Sequence, residues 1–313
     1  MNRKIAVIGA GYVGASTAYS LVLKGLAQEV VLIEQDDNKA KCIAEVNDIR
    51  HGISFMGSSN VYAGDYCDIK DCALIIVTAG RNRIAGESRL DLANDNIKIA
   101  NNVANEIKKY YNSGIILVVT NPIDIITKKF TEWLNLPKGK IFGTGCLLDS
   151  SRLTSLIADY VGVRSEVVSA NVIGEHGDGQ IPLWSKVQIA GMPIEEYCSM
   201  SSLVYNSGVR IEMETKVINM GSSIIKEKQR THYGIATCIC YLADTILNCR
   251  TTIASVSGVI SGEYGINDIA LSLPSVINAN GIERVLSYNI SDFEYERLKK
   301  TAELIKDFMK TCS

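Results

Sequence analysis

One histidine stands out as a residue that could exchange a proton during a reaction. His176 lies between Gly174 and Gly177, next to acidic residues and directly after an apolar run that is typical of a strand. An imidazole beside a carboxylate in a buried site can hold a proton near neutral pH and give it to an oxygen that is gaining negative charge. Because Gly-Glu-His-Gly on its own more often forms a turn without chemistry, the remaining sequence has to supply partners for this histidine.

The N-terminal residues predict a strand, a glycine-rich turn and a helix. Residues 4–8 form a short apolar run that ends at the GAGYVG motif of residues 9–14, and apolar side chains then recur at helical spacing over residues 13–25. The first two glycines allow a tight turn and the close approach of a pyrophosphate, and the third lets the helix pack near the strand. The helix N-terminus then faces the phosphates. GxGxxG alone is a weak signal, because ordinary glycine turns also match it.

The end of the second predicted strand indicates which dinucleotide would bind. The apolar run of residues 30–33 ends at Glu34, where an acid could accept hydrogen bonds from the ribose of adenosine. Gln35, Asp36 and Asp37 follow, and no arginine is there to meet a 2′-phosphate. The sequence therefore favours NAD over NADP.

Three further apolar runs continue the alternation of strand and helix in the first half of the chain. They cover residues 73–77, 115–119 and 141–143, and they are typical of strands in a buried parallel sheet. In open sheets of this kind, ligands bind at the carboxyl ends of the strands, where residues 78–80 and 120–122 fall. We predict an α/β fold in which residues 1–145 form an NAD-binding, Rossmann-type domain with a doubly wound parallel sheet.

The second half, residues 146–313, predicts a mixed α+β substrate domain that packs directly on the first. Helical spacing covers residues 148–160 and 202–248, with an interruption near Arg230, and we expect His232 to be an exposed helix residue. Strand-like stretches occur at 166–173, 184–190, 252–260, 268–273 and 282–288. Ser291-Asp-Phe-Glu294 is typical of a capping box that opens a last helix, to about residue 312.

Composition limits the classes of protein to which the chain can belong. The 313 residues carry a net charge of −2 and are 21% charged, so there is no basic field of the kind that nucleic acid or an anionic membrane requires. The nine cysteines show neither a CxxC pair nor zinc spacing, which favours free thiols in a reducing compartment. The apolar run at residues 5–8 is too short for a signal peptide or a membrane span. We expect a cytoplasmic protein without a metal site, a nucleic-acid partner or a membrane partner.

A set of motifs taken together resembles one known family. The motifs are GAGYVG (9–14), Glu34, TAG (78–80), GESRLDL (86–92), TNP (120–122), LDSSR (148–152), GEHGD (174–178) and THYGI (231–235). Their order and approximate spacing are similar to those of the NAD-dependent lactate/malate dehydrogenase family, and GEHGD is similar to its L-lactate branch. The resemblance implies an NAD-dependent L-2-hydroxy acid dehydrogenase that acts on a small 2-oxo or 2-hydroxy acid, such as pyruvate or L-lactate, as a homotetramer or homodimer.

The resemblance also assigns roles to individual residues. His176 would give a proton to the new alkoxide, and Asp149 would hold the imidazole in one tautomer and stabilise its charged form. Arg152, one helical turn after Asp149, would bind the substrate carboxylate through two parallel hydrogen bonds, and Arg89 would polarise the carbonyl. Asn121 and Thr231 would also contact the substrate, and the family's Asn-Pro bond is cis. The cofactor would be bound by Gly9, Gly11, Val13, Gly14, Glu34, Thr78, Gly80, Asn121 and Ile235.

Arg83 departs from the lactate branch, which carries glutamine at the matching position, whereas malate enzymes carry arginine. In a closed, dry site an arginine opposite the methyl group of pyruvate has no partner, but it would pair with the second carboxylate of oxaloacetate. The segment is expected to be a loop, so Arg83 could instead point into water. Malate dehydrogenase therefore stays open as an alternative. Arg230 and Ile84, which also replace common residues, leave the shape of the pocket open.

A non-catalytic NAD-binding protein is the alternative from a different class. Such a protein has no need of a proton donor, its carboxylate partner and two arginines together. The joint presence of His176, Asp149, Arg152 and Arg89 argues against this alternative.

Regulation by a sugar bisphosphate is not expected. Many bacterial lactate dehydrogenases bind fructose 1,6-bisphosphate through an arginine and a histidine, and the matching residues here are Thr154 and Ser169. Since neither side chain carries a positive charge, we expect this chain to be insensitive to that ligand.

Overall fold

A computed structural model of the chain describes residues 3–81 and 88–312, apart from the side chains of Asp36 and Arg89. The strands of the first half are β1 (Lys4–Ile8), β2 (Glu29–Ile33), β3 (Asn60–Gly64), β4 (Leu74–Val77), β5 (Ile115–Val118) and β6 (Ile141–Gly143). They form a parallel sheet in the order β3-β2-β1-β4-β5-β6. The strand order reverses between β1 and β4, which is where dinucleotides bind in sheets of this order.

Helices cover both faces of this parallel sheet. They are α1 (Tyr12–Leu23), α2 (Lys39–Met56), α3 (Arg89–Tyr110) and α4 (Ile123–Leu134). Along β1, Ile5 and Val7 join a core cluster with α1 and α2, whereas Ala6 and Ile8 join a second cluster with α3 and α4. Because side chains alternate along a strand and both faces are buried, the central strands β4 and β5 are apolar along their length. The predicted doubly wound α/β sheet is confirmed.

The second half adds five helices and eight strands among the described residues. The helices are α5 (Leu147–Val161), α6 (Ile194–Met200), α7 (Ser207–Lys228), α8 (Tyr233–Leu247) and α9 (Asp292–Thr311). The strands are β7 (Val168–Ser169), β8 (Val172–Gly174), β9 (Gln180–Pro182), β10 (Gln188–Ile189), β11 (Met192–Pro193), β12 (Thr252–Ser261), β13 (Asn267–Asn278) and β14 (Gly281–Val285). Across residues 3–81 and 88–312, no helix combines the length and the apolar character needed to cross a membrane.

The main sheet continues from the first half into the second. Gly143 of β6 pairs antiparallel with Ser257 of β12, and the sheet then runs through β13, β8 and β9, with β14 also paired to β13. A separate small sheet has the order β11-β10-β7. Helix α8 packs on α1, and its residues Ile239 and Leu242 belong to the same core cluster as β1. Residues from the two halves are therefore held at fixed positions relative to each other.

The structure confirms the predicted helices of the second half, adds the unpredicted helix α6 and corrects two strand predictions. Helix α5 covers the predicted residues 148–160, the long helical region breaks between α7 and α8, and a capping box opens α9. Within the predicted strand 166–173, Ser165–Val167 is a 3-10 turn, and only Val168–Ser169 and Val172–Gly174 are strands. Residues 184–186 form a 3-10 turn, and only Gln188–Ile189 is a strand. Glu294 accepts hydrogen bonds from the backbone nitrogen of Ser185 (3.0 Å) and from its hydroxyl (2.6 Å), and these bonds stabilise the turn.

Gly14 of α1 lies against the turn that precedes its own helix. A Cβ atom added at Gly14 would lie 1.9 Å from the carbonyl oxygen of Gly9 and 2.9 Å from Oγ1 of Thr78, so the backbone would have to move. We expect Gly14→Ala to lower the free energy of unfolding by about 1–3 kcal/mol, which is the usual cost of overpacking. Chemical denaturation measures this change.

Gly11→Ala is the matched control for this prediction. A Cβ atom at Gly11 meets no atom within 4 Å, and the φ of −75° suits alanine. The control should change the free energy of unfolding by less than about 0.5 kcal/mol. Equal decreases in the free energy of unfolding of the two variants would show that the close approach of α1 to the turn does not require a glycine at position 14.

Candidate active site

His176 lies in the turn between β8 and β9 and lines a cavity. Its Nδ1 atom lies 2.6 Å from Oδ2 of Asp149, which is in the first turn of α5 and is 1% exposed. The side chain of His176 keeps 25% of its surface exposed. Since Asp149 can accept the Nδ1 proton, Nε2 is the ring nitrogen left to exchange a proton with a bound molecule.

Arg152 lies on the other side of the same carboxylate. Its Nη1 donates to Oδ1 of Asp149 over 2.9 Å, and the two residues are one helical turn apart in α5. Gly221 of α7 lies next to the guanidinium, because a Cβ atom added there would be 3.6 Å from Nη2 of Arg152. Asp149 thus holds a histidine with one oxygen and an arginine with the other; the sequence analysis expected the pairing with His176 but not the bond from Arg152.

Charge coupling shifts the pKa values of His176 and Asp149 in opposite directions. Burial by itself raises the pKa of Asp149, but His176 and Arg152 more than offset burial and bring this pKa below its usual value. Burial likewise lowers the pKa of His176, but the neighbouring Asp149 outweighs it, so this pKa lies above its usual value. The pair therefore favours a charged imidazole beside a charged carboxylate, which is a state that can donate a proton.

Asp124 is a buried acid at the site that the sequence analysis did not single out. Its Oδ2 accepts a hydrogen bond from the backbone N–H of His176 (2.9 Å), and its Oδ1 accepts one from the hydroxyl of Ser257 (2.6 Å). Burial raises the pKa of Asp124 to about 6. The available signal was an acid inside the apolar stretch 123–126, where a polar side chain needs partners.

A cavity of about 410 Å³ lies beside His176. The polar residues of its wall include Asn121, Asp124 and Glu175. The apolar residues include Leu92 of α3 and Leu304, Ile305 and Phe308 of α9. A concave site with a largely apolar wall and a few convergent polar groups is typical of small-molecule binding. The cavity places such a molecule next to a proton donor.

The turn after β1 presents backbone N–H groups to an anion. Gly9 has a φ of +104°, and Gly11 precedes α1 without a side-chain cap, so the N–H groups of the first helical turn can face a phosphate. Glu34, after β2, accepts hydrogen bonds from the backbone nitrogens of Ala10 (2.8 Å) and Gln35 (2.9 Å). These bonds place a carboxylate beside the turn, where ribose hydroxyls bind in dinucleotide folds.

Side chains also tie the ends of the first-half strands together. Oγ1 of Thr78 donates to the carbonyl oxygen of Gly9 over 2.9 Å. Asn96 accepts a hydrogen bond from the backbone nitrogen of Arg81 (2.8 Å) and donates one to the carbonyl oxygen of Asn121 (2.8 Å). The Asn121-Pro122 peptide bond is cis, as expected from the resemblance. The predicted strand-end residues 78–80 and 120–122 therefore lie at one edge of the sheet.

The connection between α7 and α8 brings two predicted residues towards α1. Thr231 lies in this connection, and Ile235 packs against the core cluster that contains α1. The expectation that His232 is exposed is wrong, because it is 8% exposed and its Nδ1 lies 2.8 Å from Oγ of Ser16. A polar partner on α1, which helical spacing in one segment does not reveal, accounts for the burial of this histidine.

Some predicted site residues lie wholly or partly outside the described part of the chain. Arg83 and Ile84 fall outside the described residues, and only the backbone of Arg89, at the start of α3, is described. Arg230 is described, and its guanidinium lies over the ring of Tyr12 at the glycine turn.

Two family models match the chain. Residues 3–143 match the model described as lactate/malate dehydrogenase, NAD binding domain, and residues 146–313 match the model described as lactate/malate dehydrogenase, alpha/beta C-terminal domain. These models cover nearly the whole chain.

Full-length relatives and solved structures are also similar to the chain. An L-lactate dehydrogenase of Thermoanaerobacterium saccharolyticum is 40% identical, with 98% of each chain covered. An L-lactate dehydrogenase of Acetivibrio thermocellus is 38% identical over 99% of this chain and 97% of its own. The crystal structure of the minor L-lactate dehydrogenase of Enterococcus mundtii, in a ligand-bound form, is 31% identical with a TM-score of 0.95, covering 100% of this chain and 99% of its own.

The raised pKa of Asp124 predicts a pH-dependent cost of burying its charge. The folded state holds this proton more tightly than the unfolded state, so the stabilising contribution is complete below the unfolded pKa and is lost as pH rises through about 6. In Asp124→Asn no charge is buried, and the amide oxygen can still accept from His176. We expect the free energy of unfolding of this variant, relative to wild type, to rise by about 2 kcal/mol between about pH 4.5 and about pH 7.5.

Asp159→Asn, on the exposed side of α5, is the matched control for Asp124→Asn. The difference in free energy of unfolding between Asp159→Asn and wild type should stay constant within about 0.5 kcal/mol over the same pH range. Denaturant titrations at several pH values measure both differences. A constant difference for Asp124→Asn would mean that the pKa of Asp124 is not raised on folding, so that its hydrogen bonds fully offset the cost of burying the charge.

Proposed function

Because the chain belongs to the lactate/malate dehydrogenase family, we propose that it is an NAD-dependent L-lactate dehydrogenase, which interconverts pyruvate and L-lactate. The observation that carries the proposal is the Asp149 carboxylate, which bonds both His176 and Arg152 beside a cavity. His176 lines the cavity, and Arg152 shares its carboxylate partner, so a proton donor and a cation that suits a carboxylate are held by one residue. Similar full-length chains named L-lactate dehydrogenases favour lactate over malate activity.

Reduction of pyruvate needs a hydride, a proton and a hold on the substrate carboxylate. NADH, when bound, would supply the hydride to the carbonyl carbon. His176 gives its Nε2 proton to the carbonyl oxygen as negative charge develops there, and Asp149 stabilises the imidazolium before the transfer. Arg152 binds the carboxylate and so orients the carbonyl, and Arg89 is assigned to polarise it. In lactate oxidation, His176 takes the hydroxyl proton and the same contacts apply in reverse.

The cofactor would lie across the carboxyl ends of the first-half strands. The backbone turn before α1 suits a pyrophosphate, and the carboxylate of Glu34 suits ribose hydroxyls but would repel a 2′-phosphate. These observations support NAD over NADP. The residues that we assign to cofactor binding are Gly9, Gly11, Val13, Gly14, Glu34, Thr78, Gly80, Asn121 and Ile235.

Malate dehydrogenase activity is the second candidate, because of Arg83 in the sequence. A guanidinium that enters the site would pair with the second carboxylate of oxaloacetate, whereas pyruvate offers it only a methyl group. Thr231 and Asn121, which we assign to substrate contacts, can contact either pyruvate or oxaloacetate.

We also propose a boundary between residues 145 and 146, self-association into a homotetramer or homodimer, and a cytoplasmic location. Several apolar side chains of α1, α2 and α8 are exposed in the single chain, as expected of surfaces that pack between subunits. They are Tyr19, Leu23, Ile43, Phe55, Tyr233 and Tyr241. The cysteines are free thiols, which supports a reducing compartment.

His176→Asn tests the assigned proton donor. We expect kcat for pyruvate reduction to fall by about 10²–10⁴-fold, the usual contribution of a general acid, while NADH still binds. In wild type the rate should fall as pH rises through the raised pKa of His176, because the donor loses its proton. In Asp149→Asn the charge that raises this pKa is absent, so the fall should move to lower pH. An identical pH profile in the two enzymes would rule out control of His176 by Asp149.

A substrate comparison tests the proposed function against the malate alternative. NADH oxidation is measured with pyruvate and with oxaloacetate, on wild type and on Arg83→Gln. In wild type we expect a higher kcat/KM for pyruvate than for oxaloacetate. Arg83→Gln should change the ratio of these two values by less than tenfold. A preference for oxaloacetate that Arg83→Gln reverses by roughly 3 kcal/mol would identify a malate-type enzyme. No turnover of either acid, with NADH bound, would identify a non-catalytic protein.

A further inference from the structure

Arg230 is a charged residue in the α7–α8 connection to which the proposed reaction gives no role. Its guanidinium carbon lies 3.8 Å from the centre of the Tyr12 ring. Tyr12 is the first residue of α1, directly after the glycine turn, and is half exposed. A guanidinium is attracted to the face of an aromatic ring, so Tyr12 holds Arg230 beside the turn.

A second contact fixes the same connection on α1. Nδ1 of His232 lies 2.8 Å from Oγ of Ser16, and His232 is buried. Burial, together with the positive charges of Lys228 and Arg230, lowers the pKa of His232. The histidine is therefore a neutral hydrogen-bond partner at neutral pH, and the positive charge of the connection belongs to its lysine and arginine.

Two cations flank the ring of Tyr12, which directly follows the glycine turn. Among the ion pairs formed within residues 3–81 and 88–312, none includes Arg230. The amino group of Lys41, on α2, lies 5.5 Å from the centre of the same ring. A partly buried guanidinium without a carboxylate partner, next to a helix N-terminus that suits phosphate, fits a second anion contact.

We propose that Arg230 binds the diphosphate of the dinucleotide cofactor, with Tyr12 as its positioning residue and Lys41 as a second cation. The proposal rests on the proposed function, because it requires a dinucleotide at the glycine turn. It adds to the cofactor site a residue of the second half, outside the residues 3–143 that match the NAD-binding model. Arg230 is thereby assigned to the cofactor and not to the variable end of the substrate.

The test compares the binding of ligands that differ in their phosphates. Dissociation constants of NADH, ADP-ribose and adenosine are measured by calorimetry or competition, for wild type and for Arg230→Gln. We expect NADH and ADP-ribose to bind about tenfold more weakly to the variant, with adenosine unchanged within about twofold. Added salt should weaken ADP-ribose binding more in wild type than in the variant, because a charged contact is screened.

Lys228→Gln is the matched control, since it removes one positive charge from the same segment. The amino group of Lys228 lies over the ring of Tyr233, at 3.7 Å, and not over Tyr12. We expect this control to bind ADP-ribose within about twofold of wild type. Tyr12→Leu should weaken ADP-ribose binding by about two- to fivefold, and Tyr12→Phe, which keeps the ring, should restore it.

The outcomes separate this proposal from the proposed function. Equal ADP-ribose binding by wild type and Arg230→Gln would overturn the diphosphate contact while leaving the dehydrogenase assignment intact. Equal weakening of adenosine and ADP-ribose, or an equal effect of Lys228→Gln, would also overturn it, because the effect would then be structural or a general effect of charge. Failure of wild type to bind NADH and ADP-ribose would overturn both.

Discussion

The site depends first on one buried carboxylate. An ionised group as buried as Asp149 costs several kcal/mol to remove from water, so it is stable only with partners that stay in place. His176 and Arg152 are those partners, and the position of Asp149 in the first turn of α5 adds a favourable interaction with the helix dipole. The same bonds that stabilise the acid therefore orient His176, the proposed proton donor, and Arg152, the proposed ligand of the substrate carboxylate.

The continuous sheet determines where this trio lies relative to the first half. β6 pairs with β12, and Asp124 at the start of α4 bonds both Ser257 of β12 and the backbone of His176. A displacement of α4, which follows the strand-end residues 120–122, would thus displace His176 as well. Proton transfer and hydride transfer need one substrate geometry, and these bonds keep the two sides of the site in register.

The sequence predicted the parts of the site that are coded locally or by the family motifs. The glycine turn, the strand ends, the cis bond before Pro122 and the pairing of His176 with Asp149 agree with the structure. The bond from Arg152 to Asp149 was not predicted. Contacts between distant residues outside the family motifs were missed. Asp124 is stable in the apolar first turn of α4 because Ser257 and the backbone of His176 donate to it, and His232 is buried because it has a polar partner in Ser16. None of these partners follows from the periodicity of one segment, since tertiary contacts override local patterns.

Charge balance in the cavity bears on the choice of substrate. Asp124 and Glu175 line the cavity, and its described wall includes no lysine or arginine. Each carboxylate of a bound acid therefore depends on a cation from outside this wall, and Arg152, which shares Asp149 with His176, can serve one of them. Two like charges about 5 Å apart cost about 3 kcal/mol at an effective dielectric constant of about 20. The described site therefore favours a monocarboxylate. A dicarboxylate would depend on the guanidinium of Arg83, because Arg230 already lies against Tyr12 on the cofactor side.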